Sequence, residues 1–326
     1  MNGAAGESSA DGTIHPRPAT PLAPTPEKKG SDLSARLLTA AVLIPAAIYV
    51  IVAGGLPYLG FITLFILLGM REFYRLIEEK GALPLVSWGL AAGAALPVVA
   101  YIGNEYHVTL ILTATLLGVM IRQLGKAQIG EALVSISGTF FGVFYVGWLL
   151  SHAIVLRNFY GAAASRYGEA KIVVLGIDPE SGIFLISFCM AAVVLSDTGA
   201  YFAGRAWGRR KLAPRISPGK TIEGAVGGVI GGTLGGLASK SLFDVFWPQL
   251  SSFLAWDAAI FMGVVVAILA IVGDLLESLL KRDAQTKDAG SILPGMGGVM
   301  DRIDSPLLGI PGMYYMLLFY VFLNVG

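Results

Sequence analysis

Nine separate apolar runs, each roughly 17–25 residues long, constrain this chain more than any other feature. They lie near 35–54, 57–77, 83–103, 106–122, 132–156, 181–203, 221–243, 254–276 and 305–325. Runs of this length cross a bilayer as helices, because hydrocarbon offers no water to satisfy an open backbone. One oversized soluble core does not explain them. The chain is 55% hydrophobic and 14% charged, whereas a soluble domain carries about a quarter charged residues. The expected fold is an all-α polytopic integral membrane protein with about nine transmembrane helices.

The basic residues give an orientation. With the N-terminus in the cytoplasm and the spans alternating, 19 of the 23 Lys and Arg fall inside, leaving Arg157, Arg166, Lys171 and Lys240 outside. Residues 1–32 are rich in Pro, Ala, Ser and Gly and read as a disordered tail. They lack the layout of a cleaved signal peptide. Residues 33–180 form an N-terminal set of transmembrane helices. Residues 181–326 form a catalytic transmembrane region with cytoplasmic loops at 204–220 and 277–305. The single cysteine, Cys189, excludes an intrachain disulfide and a zinc cluster, and three scattered histidines suggest no His-centred site. In the seventh run, Gly224, Gly228, Gly232 and Gly236 form one ridge and Gly227, Gly231 and Gly235 another. Such ridges let a neighbouring helix approach closely.

Two charged constellations break the apolar pattern. The first runs from Ser196 to Gly224 and carries Asp197, Ser217, Lys220, Thr221 and Glu223. Carboxylates at a membrane boundary are costly and mark function. Gly219-Lys220-Thr221 looks like the end of a P-loop, but Pro214 stands where that motif needs glycine. A helix starting near Pro218 would still aim free N–H groups at an anion, with Ser217, Lys220 and Thr221 around it. In the second, Asp274, Glu277, Ser278 and Lys281 share one helical face, as do Asp301 and Asp304. Oxygen ligands without His or Cys favour Mg²⁺, which bridges carboxylates to phosphate oxygens. The PGMGG turn lets backbone approach a ligand, and Lys281, Arg282, Lys287 and Arg302 can neutralise a triphosphate.

These residues resemble the phosphatidate cytidylyltransferases (CDP-diacylglycerol synthases). That family's C-terminal pattern is matched by Ser278, Lys281-Arg282, Lys287-Asp288, Gly290, Pro294, Gly297-Gly298, Asp301-Arg302 and Asp304, with the spacing kept throughout. Asp197-Thr198-Gly199-Ala200-Tyr201 and Ser217-Pro218-x-Lys220-Thr221-x-Glu223-Gly224 are similar too, and the likeness is strongest from about 180 to 310. The resemblance implies transfer of CMP from CTP to phosphatidate, giving CDP-diacylglycerol and pyrophosphate. It implies Mg²⁺ as cofactor, membrane lipid around the chain, a homodimer and no nucleic-acid partner. The expected setting is a bacterial inner membrane, with the active site facing the cytoplasm.

The expected roles follow residue by residue. Mg²⁺ lies between Asp274 and Asp301, with Asp304 and Asp197 as alternates. Lys220, Lys281, Arg282 and Arg302 hold phosphates, and Ser217 and Glu223 orient the lipid head or the nucleotide. Thr221, Ser278, Lys287, Asp288, Gly297 and Gly298 complete the substrate contacts. The family's His in Pro-x-His-Gly-Gly is Met296 here. The attacking phosphate is already anionic near neutral pH, so metal and charge, rather than a histidine base, carry the expected chemistry. A CTP-dependent polyprenol kinase is the nearest alternative and would yield CDP. A transporter would place its carboxylates near mid-membrane, whereas most here lie at helix ends.

Overall fold

The glycine ridges organise the C-terminal half. In the computed structural model, which describes residues 32–103, 105–125 and 130–325, they lie on helix α10 (Ile222–Phe246) and face α9 (Ser181–Trp207). A Cβ on Gly231 would stand 2.5 Å from the Leu195 carbonyl oxygen, and one on Gly235 2.5 Å from that of Ala191. Only glycine permits this approach. The other ridge faces α12 (Trp256–Asp283) as well: a Cβ on Gly232 would lie 2.6 Å from Ala267 Cβ. Both ridges are therefore occupied within one chain. With α13 (Met300–Val325) packed on α12, these helices make the bundle that carries the charged constellations.

The N-terminal half comprises α1 (Asp32–Ala53), α2 (Gly55–Glu79), α3 (Val86–Ile102), α4 (Glu105–Leu124) and α5 (Ala132–Gly142). A π-helical turn (Val143–Trp148) then leads into α6 (Leu149–Arg157). This half packs against the bundle mainly through α6 and α2. Short helices α7 (Phe159–Tyr167), α8 (Glu169–Val174) and α11 (Pro248–Ser251) complete the set. Among the described residues, seven helical segments are long and apolar enough to cross a membrane, the one at Ala132–Arg157 including the π turn. The chain is thus an α-helical integral membrane protein. The third expected run is a shorter apolar helix of 17 residues that contains Pro97. The seventh is α10, whose glycines dilute its apolar content.

α1 hardly packs against the body along its length but is pinned at both ends. Arg36 Nε donates to the Gly295 carbonyl at 2.8 Å, and Thr39 Oγ1 to that of Pro294 at 3.0 Å. At the far end, the buried Arg157 donates to the Ile51 carbonyl at 2.7 Å and pairs with Glu180 at 2.7 Å. The tail expected over 1–32 lies outside the described residues, except that Asp32 opens α1.

Three expectations are corrected. The segment before α10 is not helical from Pro218. It is a small hairpin, β1 (Lys211–Ala213) paired antiparallel with β2 (Ser217–Thr221). Pro214 suits the first central position of a turn that the Ile216 N–H closes on the Ala213 carbonyl at 3.2 Å. Pro218 biases Ser217 to extended backbone. Helix α10 starts only at Ile222, where Thr221 Oγ1 caps it by accepting the Gly224 N–H at 3.0 Å. Second, α9 continues to Trp207, so the 204–220 loop begins as helix. Third, the 277–305 loop is helical at both ends: α12 runs to Asp283 and α13 starts at Met300, leaving 284–299 between them.

Candidate active site

A cleft of about 440 Å³ opens where α9, the hairpin, α10 and α12 meet, lined by Asp197, Tyr201, Arg205, Lys220, Thr221 and Asp274 among others. The hairpin delivers Lys220 and α12 delivers Asp274. Lys220 Nζ and Asp274 Oδ2 form an ion pair at 2.7 Å without a directed hydrogen bond. Asp197 is exposed on the cleft wall, with Asp274, Lys220 and Arg302 as its electrostatic neighbours. The two constellations, some 80 residues apart in sequence, thus share one site.

Next to the cleft, Asp274, Glu277 and Asp304 place one carboxylate oxygen each within 4.8 Å of one another. Asp274 and Glu277 sit one turn apart on α12, and Asp304 comes from the first turns of α13. Glu277 is fully buried; neither oxygen has a directed hydrogen bond, though Lys281 Nζ stands 2.5 Å from Oε2. Lys281 also reaches Asp301 Oδ1 at 2.8 Å. Five carboxylates (Asp197, Asp274, Glu277, Asp301, Asp304) therefore face four cations (Arg205, Lys220, Lys281, Arg302) in this region. An all-oxygen donor set with excess negative charge and one buried oxygen, Glu277 Oε1, that has neither a hydrogen bond nor an ion pair fits a hard divalent cation.

Asp301 is placed differently from Asp274 and Asp304. Besides Lys281, its Oδ2 accepts the Gly298 N–H at 2.8 Å, so it holds the glycine turn. Gly297 has φ +87°, which L side chains rarely adopt. Arg302 donates from Nε at 3.1 Å and Nη2 at 2.5 Å to the Met296 carbonyl. It is the backbone of position 296, not a side-chain base, that the arginine uses. Arg282 donates to the Ile216 carbonyl at 3.3 Å, tying the hairpin turn to α12. Glu223 accepts the backbone N–H groups of Arg209 at 3.0 Å and Arg210 at 3.1 Å. Ser217 lies in β2 and Ser278 on α12, both partly buried, while Lys287 and Asp288 are exposed in the 284–299 segment.

The chain matches the model of the cytidylyltransferase family over residues 34–320, nearly its whole length. The chain belongs to the cytidylyltransferase family. Curated relatives agree. The phosphatidate cytidylyltransferase of Synechocystis is 30% identical over 294 residues, covering 86% of this chain and 94% of the relative. That of Pseudomonas aeruginosa is 32% identical over 296 residues, with 86% and 94% covered. That of Bacillus subtilis is 27% identical over 303 residues, with 88% and 98% covered.

In this cytidylyltransferase-family site, sequence reasoning missed two residues from the N-terminal half. Tyr145 sits in the π-helical turn; its hydroxyl is buried without a hydrogen-bond partner, and Glu277 and Asp304 are its electrostatic neighbours. π turns inside α-helices recur at functional sites. Glu72, on α2, accepts the Met300 N–H at 2.8 Å. Neither residue stands in a motif, and only the long-range packing brings them to the site.

Proposed function

We propose the following reading of the site. The protein transfers CMP from CTP to phosphatidate, forming CDP-diacylglycerol and pyrophosphate for phospholipid synthesis. A phosphate oxygen of phosphatidate bonds to the α-phosphorus of CTP, and the bond from that phosphorus to the bridging oxygen of pyrophosphate breaks, the electron pair leaving with pyrophosphate. The observation that carries this reading is the carboxylate group of Asp274, Glu277 and Asp304 beside the Lys220–Asp274 pair. Its charges suit a metal-bound triphosphate, and the family relationship supplies the substrates.

Asp274, Glu277 and Asp304 would hold Mg²⁺, with Asp301 and Asp197 nearby. Mg²⁺ supplies charge neutralisation and alignment of phosphate oxygens when bound. Lys220, Lys281 and Arg302 reduce the repulsion between two polyanions brought together. The Gly297–Gly298 backbone leaves room for the triphosphate, with Ser217, Thr221, Ser278, Lys287 and Asp288 at its margins. Glu223 orders the Arg209–Arg210 backbone, so its effect on substrate is indirect. In this reading the chain has nine spans, the N-terminus and the site face the cytoplasm, and the setting is a bacterial inner membrane. The lysine and arginine distribution supports that orientation. CTP then arrives from water and phosphatidate laterally from the bilayer. A homodimer belongs to the reading on family resemblance alone, because the glycine ridges serve packing within the chain.

The experiment is product identification. Purified protein in lipid, given CTP, phosphatidate and Mg²⁺, is expected to yield CDP-diacylglycerol and pyrophosphate by mass spectrometry. CDP as the nucleotide product, with polyprenol as acceptor, would instead indicate a kinase.

A further inference from the structure

The loop between α12 and α13 is held from behind by a carboxylate of the N-terminal half. Only 3% of Glu72 is exposed. Its Oε2 accepts the Met300 N–H at 2.8 Å, across 228 residues of sequence, and its Oε1 is buried without a hydrogen-bond partner. Among the described residues it forms no ion pair within 4 Å. The loop accommodates it by having no side chains there. A Cβ on Gly290 would stand 2.1 Å from Glu72 Oε1, and one on Gly298 2.6 Å from Oε2. Asp301 accepts the Gly298 N–H. The backbone from 298 to 300 is thus held by two carboxylates, one from α2 and one from α13. Packing alone does not explain this choice. A buried carboxylate is costly unless it is hydrogen-bonded, and an apolar residue would fill the same space.

We infer that Glu72 is a positioning residue: its carboxylate latches residues 290–300 in the conformation that presents Gly297, Gly298 and Asp301 to the nucleotide phosphates. It touches no substrate and acts through the loop backbone. The inference rests on the reading of the site given above. It also accounts for Gly290 and Gly298 as glycines that Glu72 requires.

The test uses the full chain in lipid nanodiscs. Glu72→Ala is expected to lower kcat/KM for CTP about tenfold or more, the consequence of orphaning a buried N–H, while the thermal midpoint stays near that of the unaltered protein. Glu72→Gln, whose amide oxygen can accept the same bond, should keep activity within about threefold. Gly290→Ala should be impaired alone yet add nothing to Glu72→Ala, since the three atoms nearest its methyl all belong to Glu72. Trypsin cleavage at the exposed Lys287 gives a readout independent of activity, and Glu72→Ala should accelerate it. The latch is overturned if Glu72→Gln is as impaired as Glu72→Ala, if the Ala variants act additively, or if cleavage at Lys287 is unchanged. An inactive unaltered protein would contradict the reading of the site instead, and the cleavage comparison would still decide the latch.

Discussion

Lys220 Nζ stands 2.7 Å from Asp274 Oδ2, joining the hairpin to α12 across the mouth of the cleft. Their side chains are 24% and 36% exposed, so solvent screens the pair and it contributes little to folding, at most about 1 kcal/mol. In the proposed reading its value lies in substrate binding, where a phosphate would replace Asp274 as the partner of Lys220. Lys220→Met should therefore lower kcat/KM for CTP by about ten- to a hundredfold, the loss of one or two charged hydrogen bonds. The thermal midpoint should barely move. A shifted midpoint with unchanged kinetics would make the pair structural.

Removal of divalent metal should abolish turnover, and Mg²⁺ should restore it. Asp304→Asn removes one of three clustered carboxylates, so the Mg²⁺ concentration for half-maximal rate should rise by about tenfold or more. Titration of the rate with Mg²⁺ measures this. Equal half-saturation in both proteins would remove Asp304 from the metal site.

Met296→His tests whether position 296 needs a base. Arg302 grips the backbone carbonyl at 296, and any residue supplies that group. The variant should keep kcat within about tenfold and should add no ionisation near 6.5, the ordinary histidine value, to the pH profile of kcat. A new inflection there would restore a base at this position.

Gly231→Ala should destabilise the α9–α10 pair by about 1–3 kcal/mol, because its methyl would meet the Leu195 carbonyl, a backbone atom that cannot swing away. Gly219→Ala is the control: its Cβ meets nothing within 4 Å. Thermal unfolding in detergent compares the two, with a lower midpoint expected for Gly231→Ala alone.

Much of this architecture was legible in the sequence because hydrocarbon forces helices wherever apolar runs are long enough. The glycine ridges announced a close helix contact, though not that α9 and α12 would take both faces. The charged constellations were legible as boundary anomalies. Their assembly was less so. Asp301 and Asp304 share a helical face, yet Asp304 joins Asp274 while Asp301 turns to Lys281 and Gly298. A three-residue gap in sequence carries no record of that division. The hairpin escaped notice because strands of three and five residues have no readable period. Glu72 and Tyr145 escaped because nothing local marks a residue whose partners lie 130 or more positions away.

The most direct test of the account is phosphatidate-dependent release of pyrophosphate from CTP, compared between the unaltered protein and Asp274→Asn. Loss of a charged group central to the cluster is expected to slow release by about a hundredfold or more. The unaltered protein should form one CDP-diacylglycerol for each pyrophosphate. Equal rates in the two proteins, or release that does not require phosphatidate, would contradict the account.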